Sequence, residues 1–245
     1  MCRLFGQHAP PGHDHREPLC SAPNALRFQS HRHPHGWGIA WYQSGGVRVE
    51  RGLLPAHADQ AFVEAAHAAR STVVVAHVRD ASVGPVTEVN THPFVHGRWI
   101  FAHNGTVSRF REVARVRGEI EAEIDPSLRR ALRGQTDSER CFLVFLTRLQ
   151  GRGSAAAATL GQVKAALRAT TETVRRIADR HSTRPSSLNF LVTDGRVLAA
   201  SRHGRDLHVA ASAGAERAWV VASEPIGAAD WKPVPEGAVV GYDGE

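Results

Sequence analysis

At 245 residues, with 42% hydrophobic and 22% charged side chains, the chain has the length of one large domain or two small ones and the make-up of a soluble globular protein. It contains no apolar run of the about eighteen residues that a membrane span needs, and Arg3, His8, Pro10, Pro11 and His13 leave no room for a secretory apolar segment. The net charge of +6 raises nucleic acid as a partner, but the arginines are scattered and no block of like charge forms, so a solvated basic surface is the expected reading.

The first notable feature is Met1-Cys2-Arg3-Leu4-Phe5-Gly6. Removal of Met1 would leave Cys2 with both a thiol and a free α-amine. A free thiol titrates near about 8.5 and an α-amine at about 7.7–8.0, so nucleophile and general base would share one residue. Leu4 and Phe5 read as a short buried strand holding Cys2 at its start. The three cysteines, Cys2, Cys20 and Cys141, are far apart and odd in number, which argues against a disulfide framework and for a reducing cytoplasm.

From Pro10 to Pro34 the chain is rich in Pro, His and Arg without an apolar period, and reads as a long surface excursion of the kind that serves as a lid or binding loop. His31, His33 and His35 alternate and in an extended segment would share one face. They lack Cys or carboxylate partners at ligand spacing, so no metal is expected. Gly36 to Tyr42 and Val47 to Glu50 are strands, joined through Ser44-Gly45-Gly46 as a hairpin. Ala58 to Ala69 suits a helix with Phe62, Val63 and Ala66 inward. Thr72 to Arg79 is a β-branched run buried on both faces, and an arginine at its end requires an anionic partner.

After a loop closing in Thr91-His92-Pro93-Phe94, Arg98 to His103 reads as a buried strand ending at Asn104-Gly105. That pair offers a side-chain and a backbone N–H, a candidate oxyanion hole, although an Asn-Gly turn has the same spelling. Thr136-Asp137-Ser138-Glu139 has capping-box spacing and opens a buried helix to about Leu149. Asp137 suits the helix dipole there, and Cys141 inside it reads as a packed, inert thiol. Gly151 to Ala158 is a small-residue connection to an amphipathic helix reaching about Arg180. Strands follow at Leu188–Thr193, Val197–Ser201, Leu207–Ser212, Trp219–Ala222 and Val239–Tyr242, with Asp194-Gly195 as a hairpin signal. Residues 2–245 are expected to form a single domain of packed sheets and helices.

Taken in order, Cys2, the Gly36-Trp37-Gly38 strand, Arg79, Thr91-His92-Pro93-Phe94, Asn104-Gly105, Thr136-Asp137-Ser138-Glu139 and Ala222-Ser223-Glu224-Pro225 resemble the class II glutamine amidotransferases, a branch of the N-terminal-nucleophile hydrolases. The resemblance covers nearly the whole chain and is closest to stand-alone members. It implies an α+β fold, a four-layer αββα sandwich of two mainly antiparallel sheets. It also implies roles: Cys2 attacks a glutamine side-chain amide, Arg79 holds the α-carboxylate, Asp137 the α-ammonium, and Asn104 and Gly105 the oxyanion. Ser82 is a further substrate contact, and His77 and His92 are structural. No cofactor is required.

Two departures bear on the substrate, His35 where many relatives are acidic and Asp80 where several are aromatic. No residues remain for a fused synthase domain, so the expected partner is glutamine or another γ-glutamyl compound, with ammonia passed to a separate synthase or released. The alternatives are a γ-glutamyl hydrolase acting on a histidine-derived intermediate of ergothioneine biosynthesis, and a non-catalytic glutamine sensor.

Overall fold

Two antiparallel sheets lie face to face, the first built from both ends of the chain and the second from its middle and C-terminal third. The computed structural model describes residues 2–153, 157–180, 182–211 and 218–244. The strands are β1 (Arg3–His8), β2 (Trp37–Gln43), β3 (Gly46–Gly52), β4 (Val73–Val78), β5 (Phe94–His96), β6 (Trp99–Thr106), β7 (Ser187–Thr193), β8 (Leu198–Ser201), β9 (His208–Ala211), β10 (Trp219–Ala222), β11 (Lys232–Pro233) and β12 (Val239–Tyr242). The helices are α1 (Leu26–Gln29), α2 (Gln60–Ala68), α3 (Ala114–Ala122), α4 (Asp137–Gln150) and α5 (Leu160–Ala178). The first sheet has the order β11-β9-β10-β1-β4-β2-β3 and the second β12-β8-β7-β6-β5.

Alternation of side chains across each sheet generates three apolar layers. Leu4, Ala40, Val73 and Val75 from the first sheet meet Ile100, Ala102, Leu191 and Leu198 from the second. On the outer face of the first sheet, Phe5, Trp37, Ile39 and Val74 pack against Leu26 of α1 and Phe62 of α2. On the outer face of the second, Phe101, Phe190 and Val192 pack against Phe142 and Phe145 of α4 and Leu167 of α5. This is the αββα order that the resemblance implied. β4, with no polar-facing side, is buried at all six positions.

The local signals mostly hold, with physical reasons where they do not. The β2–β3 hairpin turns on Ser44 (φ 51°) and Gly45 (φ 78°), two consecutive positive φ values that match the twist of the flanking strands. In α2 the buried set is Phe62, Ala65 and Ala66, while Val63 is only half-buried. Thr136 accepts from the Glu139 N–H at 3.3 Å, but Glu139 does not return the bond; its carboxylate takes the Arg133 and Gly134 N–H groups at 2.8 Å each. A full capping box forms instead at Thr159 and Gln162. Asn104-Gly105 is not a turn, because β6 continues through it to Thr106.

The Pro10–Pro34 segment is the main correction. It is packed rather than a free surface excursion: a π-helical turn at Glu17–Ser21 and α1 bury Leu19, Ala25 and Leu26 completely. Its three alternating histidines also diverge. His31 stacks on His57 at 3.7 Å between ring centroids, His33 is buried, and His35 approaches Asp80. Among the described residues no three His, Cys, Asp or Glu side chains are disposed to hold a metal. Ser212, expected to end β9, and residues 154–156 lie outside the described residues.

Two measurements test this packing. An ideal Cβ on Gly38 would sit 2.1 Å from the His92 carbonyl oxygen, a backbone atom that cannot swing aside. Gly38→Ala is therefore expected to lower stability by about 1–3 kcal/mol. Gly118→Ala, inside α3 with nothing within 4 Å, should instead raise it by about 0.5–1 kcal/mol. Urea midpoints compare the two, and equal shifts would contradict the packing described.

Buried imidazoles supply the second test. His77 on β4, His92 and His103 on β6 form a cluster in which burial holds His77 at about 3 and lowers the other two. In the unfolded chain such rings take up protons near about 6.5, so the stability they confer is complete above that pH and lost as pH falls toward the native values. Each adds a slope of up to about 1.4 kcal/mol per pH unit within that window. The urea midpoint should fall steeply from about pH 6.5 to about pH 4; a flat profile would refute the assignment.

Candidate active site

Register places Cys2. β1 pairs antiparallel with β4 through Arg3↔Val78, so the next step along the ladder sets Cys2 beside Arg79. The Asp80 backbone N–H then lies 3.3 Å from Cys2 Sγ, and the thiol lies 3.5 Å from the Asp80 carbonyl oxygen. Cys2 is buried. Burial pushes its thiol pKa up, while the Asp80 backbone contact and the Arg79 charge pull the other way. A thiol held up by burial is protonated near neutrality, so its use as a nucleophile demands a base.

Arg79 continues β4 past its last ladder position, with its N–H donating to the Gly36 carbonyl at 2.8 Å. Its guanidinium is buried and donates to the carbonyls of Pro85 (3.0 Å), Val83 (3.1 Å) and Gly84 (3.3 Å). The loop after β4 is thus wrapped around the arginine. Sequence reasoning sought an anionic partner; these partners are neutral carbonyls. Burial disfavours its charge, an effect opposed by Cys2 and Asp137.

Asn104 enters from the other sheet. Its side-chain Nδ2 donates to Ser223 Oγ at 3.0 Å, and the Leu4 N–H donates to the same oxygen at 3.0 Å. Ser223 therefore joins β1 of one sheet to β6 of the other, one residue from the start of β1. Its own N–H donates to the Leu4 carbonyl at 3.0 Å, completing the brace. Asn104 Oδ1 is buried without a hydrogen-bond partner among the described residues. Gly105 cannot carry a side chain, since its Cβ would fall 1.9 Å from the Ser187 carbonyl oxygen on β7.

Asp137 is the first residue of α4 and is buried. Its Oδ2 accepts from the Val107 N–H at 2.7 Å and its Oδ1 from the Ser138 N–H at 2.9 Å. Val107 directly follows β6, so this bond ties α4 to the strand carrying Asn104 and Gly105. Ser82 is exposed and meets Thr106 with 3.1 Å between the hydroxyl oxygens. Beyond them opens a cavity of about 610 Å³, lined by Ser82, Val83, Thr106, Val107, Arg184 and Arg205 among others. Two of the lining residues also hold the site from behind, the Val83 carbonyl accepting from Arg79 and the Val107 N–H donating to Asp137. Cys2 is not on its lining.

The structure thus connects Cys2 to Arg79 by register, Cys2 to Asn104 through Leu4 and Ser223, and Asp137 to the Asn104 strand through Val107. Ser223, Ser138 and His103 were not read as site residues from sequence. Ser223 lies in the Ala222-Ser223-Glu224-Pro225 motif, where position in the motif was the available signal. The two departures from the family pattern, His35 and Asp80, turn out to be neighbours, with His35 Nδ1 3.2 Å from Asp80 Oδ1 and the Ala81 N–H donating to the same ring nitrogen at 3.1 Å.

Residues 1–214 match the family described as class II glutamine amidotransferases. A Saccharomyces cerevisiae protein named as a probable glutamine amidotransferase, DUG3, is 32% identical over 185 residues, covering 69% of this chain and 51% of the yeast one. A γ-glutamyl-hercynylcysteine sulfoxide hydrolase of Mycobacterium tuberculosis is 39% identical over 97 residues, covering 36% of this chain and 42% of the hydrolase. The chain therefore spans about half the length of these curated relatives, or less. Among solved structures, a class II domain protein from Silicibacter pomeroyi superposes with a TM-score of 0.68 at 23% identity, covering 99% of this chain and 95% of that one. The glutamine phosphoribosylpyrophosphate amidotransferase of B. subtilis superposes with a TM-score of 0.65 at 16% identity, covering 99% of this chain and 47% of that one. The likeness in both is one of fold. Over residues 1–214, most of its length, the chain belongs to the class II glutamine amidotransferases.

Proposed function

We propose that the chain hydrolyses the side-chain amide of glutamine, or of a related γ-glutamyl compound, through Cys2 exposed by removal of Met1. The observation that carries this reading is the β1–β4 register, which sets Cys2 beside Arg79 with the Asp80 N–H on the sulfur. The α-amine of Cys2 takes the thiol proton, and the sulfur attacks the amide carbon. The oxyanion that forms is met by Asn104, whose amide has a second N–H beside the one given to Ser223, and by the Gly105 backbone N–H. Collapse expels ammonia or an amine, which leaves with the proton held by the α-amine. Water then attacks the thioester, releasing glutamate and the free thiol.

Arg79 binds the substrate α-carboxylate, for which a planar fork of donors is suited. Asp137 accepts from the α-ammonium, and Ser82 contacts substrate at the cavity mouth. The arginines on the cavity lining favour entry of an anionic group. Residues 2–245 act as one unit in this scheme, and no cofactor takes part. Ammonia released from glutamine would go to solution or to a separate synthase in the cytoplasm.

A second reading is favoured by two observations. The stretch shared with the mycobacterial hydrolase is the more similar of the two relatives, and His35 with Asp80 alters the rim beside the thiol. Under it the leaving group is an amine on a histidine-derived intermediate rather than ammonia.

Intact mass before and after an electrophilic glutamine analogue is the first test. Loss of Met1 with one adduct on Cys2 is expected, and Cys2→Ala should abolish both adduct and turnover. Full turnover by a protein with a verified, uncleaved N-terminal tag would eliminate the α-amine as base. Binding of glutamine without glutamate formation would instead support a sensor.

Ser223→Ala provides a separate check on the oxyanion assignment. It removes the acceptor shared by Asn104 Nδ2 and the Leu4 N–H, and should cost about 1–3 kcal/mol of stability. The kcat should drop at least tenfold, with KM little changed, because the amide loses its orientation but the α-groups keep theirs. An unchanged kcat would remove Asn104 from the oxyanion role.

A further inference from the structure

His103 lies immediately before Asn104-Gly105 on β6 and is 1% exposed, and both ring nitrogens are engaged. Nε2 is 3.0 Å from the Ser187 carbonyl oxygen. A carbonyl only accepts, so Nε2 carries the proton. Nδ1 of a neutral ring is then an acceptor, and the group facing it at 2.9 Å is the Ser138 hydroxyl. Burial lowers the pKa of this ring, with Asp137 acting in opposition, which agrees with the neutral form.

The hydroxyl of Ser138 has one proton and two candidate acceptors. Asp137 Oδ1 is 3.3 Å away and His103 Nδ1 is 2.9 Å away. Donation to Nδ1 withholds the proton from Asp137. Among the described residues the carboxylate is then held by the Val107 and Ser138 backbone N–H groups, and it retains acceptor capacity toward a cation. On the other side of the ring, Nε2 and the Ser187 carbonyl close on Gly105: a Cβ there would meet the carbonyl oxygen at 1.9 Å and Nε2 at 2.6 Å. The His103 carbonyl is itself the acceptor for His77 Nε2 at 3.2 Å, which anchors the strand from β4.

We propose that His103 is a positioning residue with two separable effects. Through Nδ1 it draws the Ser138 hydroxyl away from Asp137, leaving that carboxylate to accept the substrate α-ammonium. Through Nε2–H it holds the Ser187 carbonyl against Gly105 and fixes the backbone N–H that meets the oxyanion. The inference rests on the γ-glutamyl amide hydrolysis proposed above.

The two nitrogens can be replaced one at a time. Asn at position 103 keeps an acceptor near the place of Nδ1 but does not reach Ser187; Gln keeps a donor near the place of Nε2 but loses the acceptor. His103→Asn is expected to retain KM within about threefold and lose at least about tenfold in kcat. His103→Gln should show the reverse, a KM raised at least about tenfold with kcat nearly kept. The Gln variant should also discriminate less than the wild type between a γ-glutamyl amide and the matching glutaryl amide, which has no α-ammonium. Nitrogen NMR of the wild-type protein should report the Nε2–H tautomer for this ring at neutral pH, and decides the matter if both variants fail to fold. An Nδ1–H tautomer or an imidazolium overturns the inference, as do folded variants with indistinguishable KM and kcat while the wild type is active. Absence of wild-type turnover on every γ-glutamyl amide would overturn the functional reading and this inference with it.

Discussion

The site depends on the register of β1. This strand lies in the middle of the first sheet, paired with β4 on one side and β10 on the other, so its position is fixed from both edges. A slip of one residue would turn Leu4 and Phe5 to the wrong faces, exchanging the layer between the sheets for the layer under the helices. The same slip would move Cys2 away from Asp80. Burial of apolar side chains throughout β1 and β4 thus fixes Cys2 to a particular backbone N–H, and the packing energy of the core is what would enforce the geometry of the proposed reaction.

The second sheet is tied to this frame by few but specific bonds. Ser223 receives one donor from each sheet, and neither donor can be satisfied by water without opening the interface. Val107 and Asp137 do the same between β6 and α4. Such side-chain-to-backbone ties are stiff, because loss of one leaves a buried partner unpaired. Side chains on rigid strands and at a helix start are held more closely than they would be on loops, which suits a reaction needing alignment. The loop that does approach the site, Val83 to Pro85, is pinned by the Arg79 guanidinium.

What was legible in the sequence were the features set by local chemistry. The β-branched run of β4, the Asp194-Gly195 hairpin and the apolar faces of α4 and α5 follow from periodicity and turn residues. The candidate residues were legible mainly as an ordered set of motifs, since each alone has a structural explanation. Ser223 and His103 escaped because their contacts join residues 119 and 35 positions away in the chain, to Asn104 and Ser138, and no local pattern records a partner so distant. The Pro10–Pro34 segment was misread for a related reason. Its composition resembles a loop, yet Leu19, Ala25 and Leu26 are buried in the apolar layer on the outer face of the first sheet, a layer that exists only once the sheet is assembled.

Burial at Cys2 has opposing consequences. Exclusion of water raises the thiol pKa and so withholds the thiolate, but it also strengthens every dipole aimed at the sulfur and, in the proposed reaction, at the oxyanion that would develop there. A nucleophile in that position gains from a base that adds no charged side chain to the pocket. In the proposed mechanism the α-amine of an N-terminal Cys2 would meet this condition: it would be carried by the nucleophile itself, α-amines titrate near neutrality, and no further residue would be needed to bring it within reach. An additional buried histidine or lysine acting as base would pay a desolvation cost of its own and would place a positive charge beside Arg79, which burial already disfavours. The neutral imidazoles of His77 and His103 fit the same electrostatic requirement, shaping the site through hydrogen bonds while adding no charge near the guanidinium.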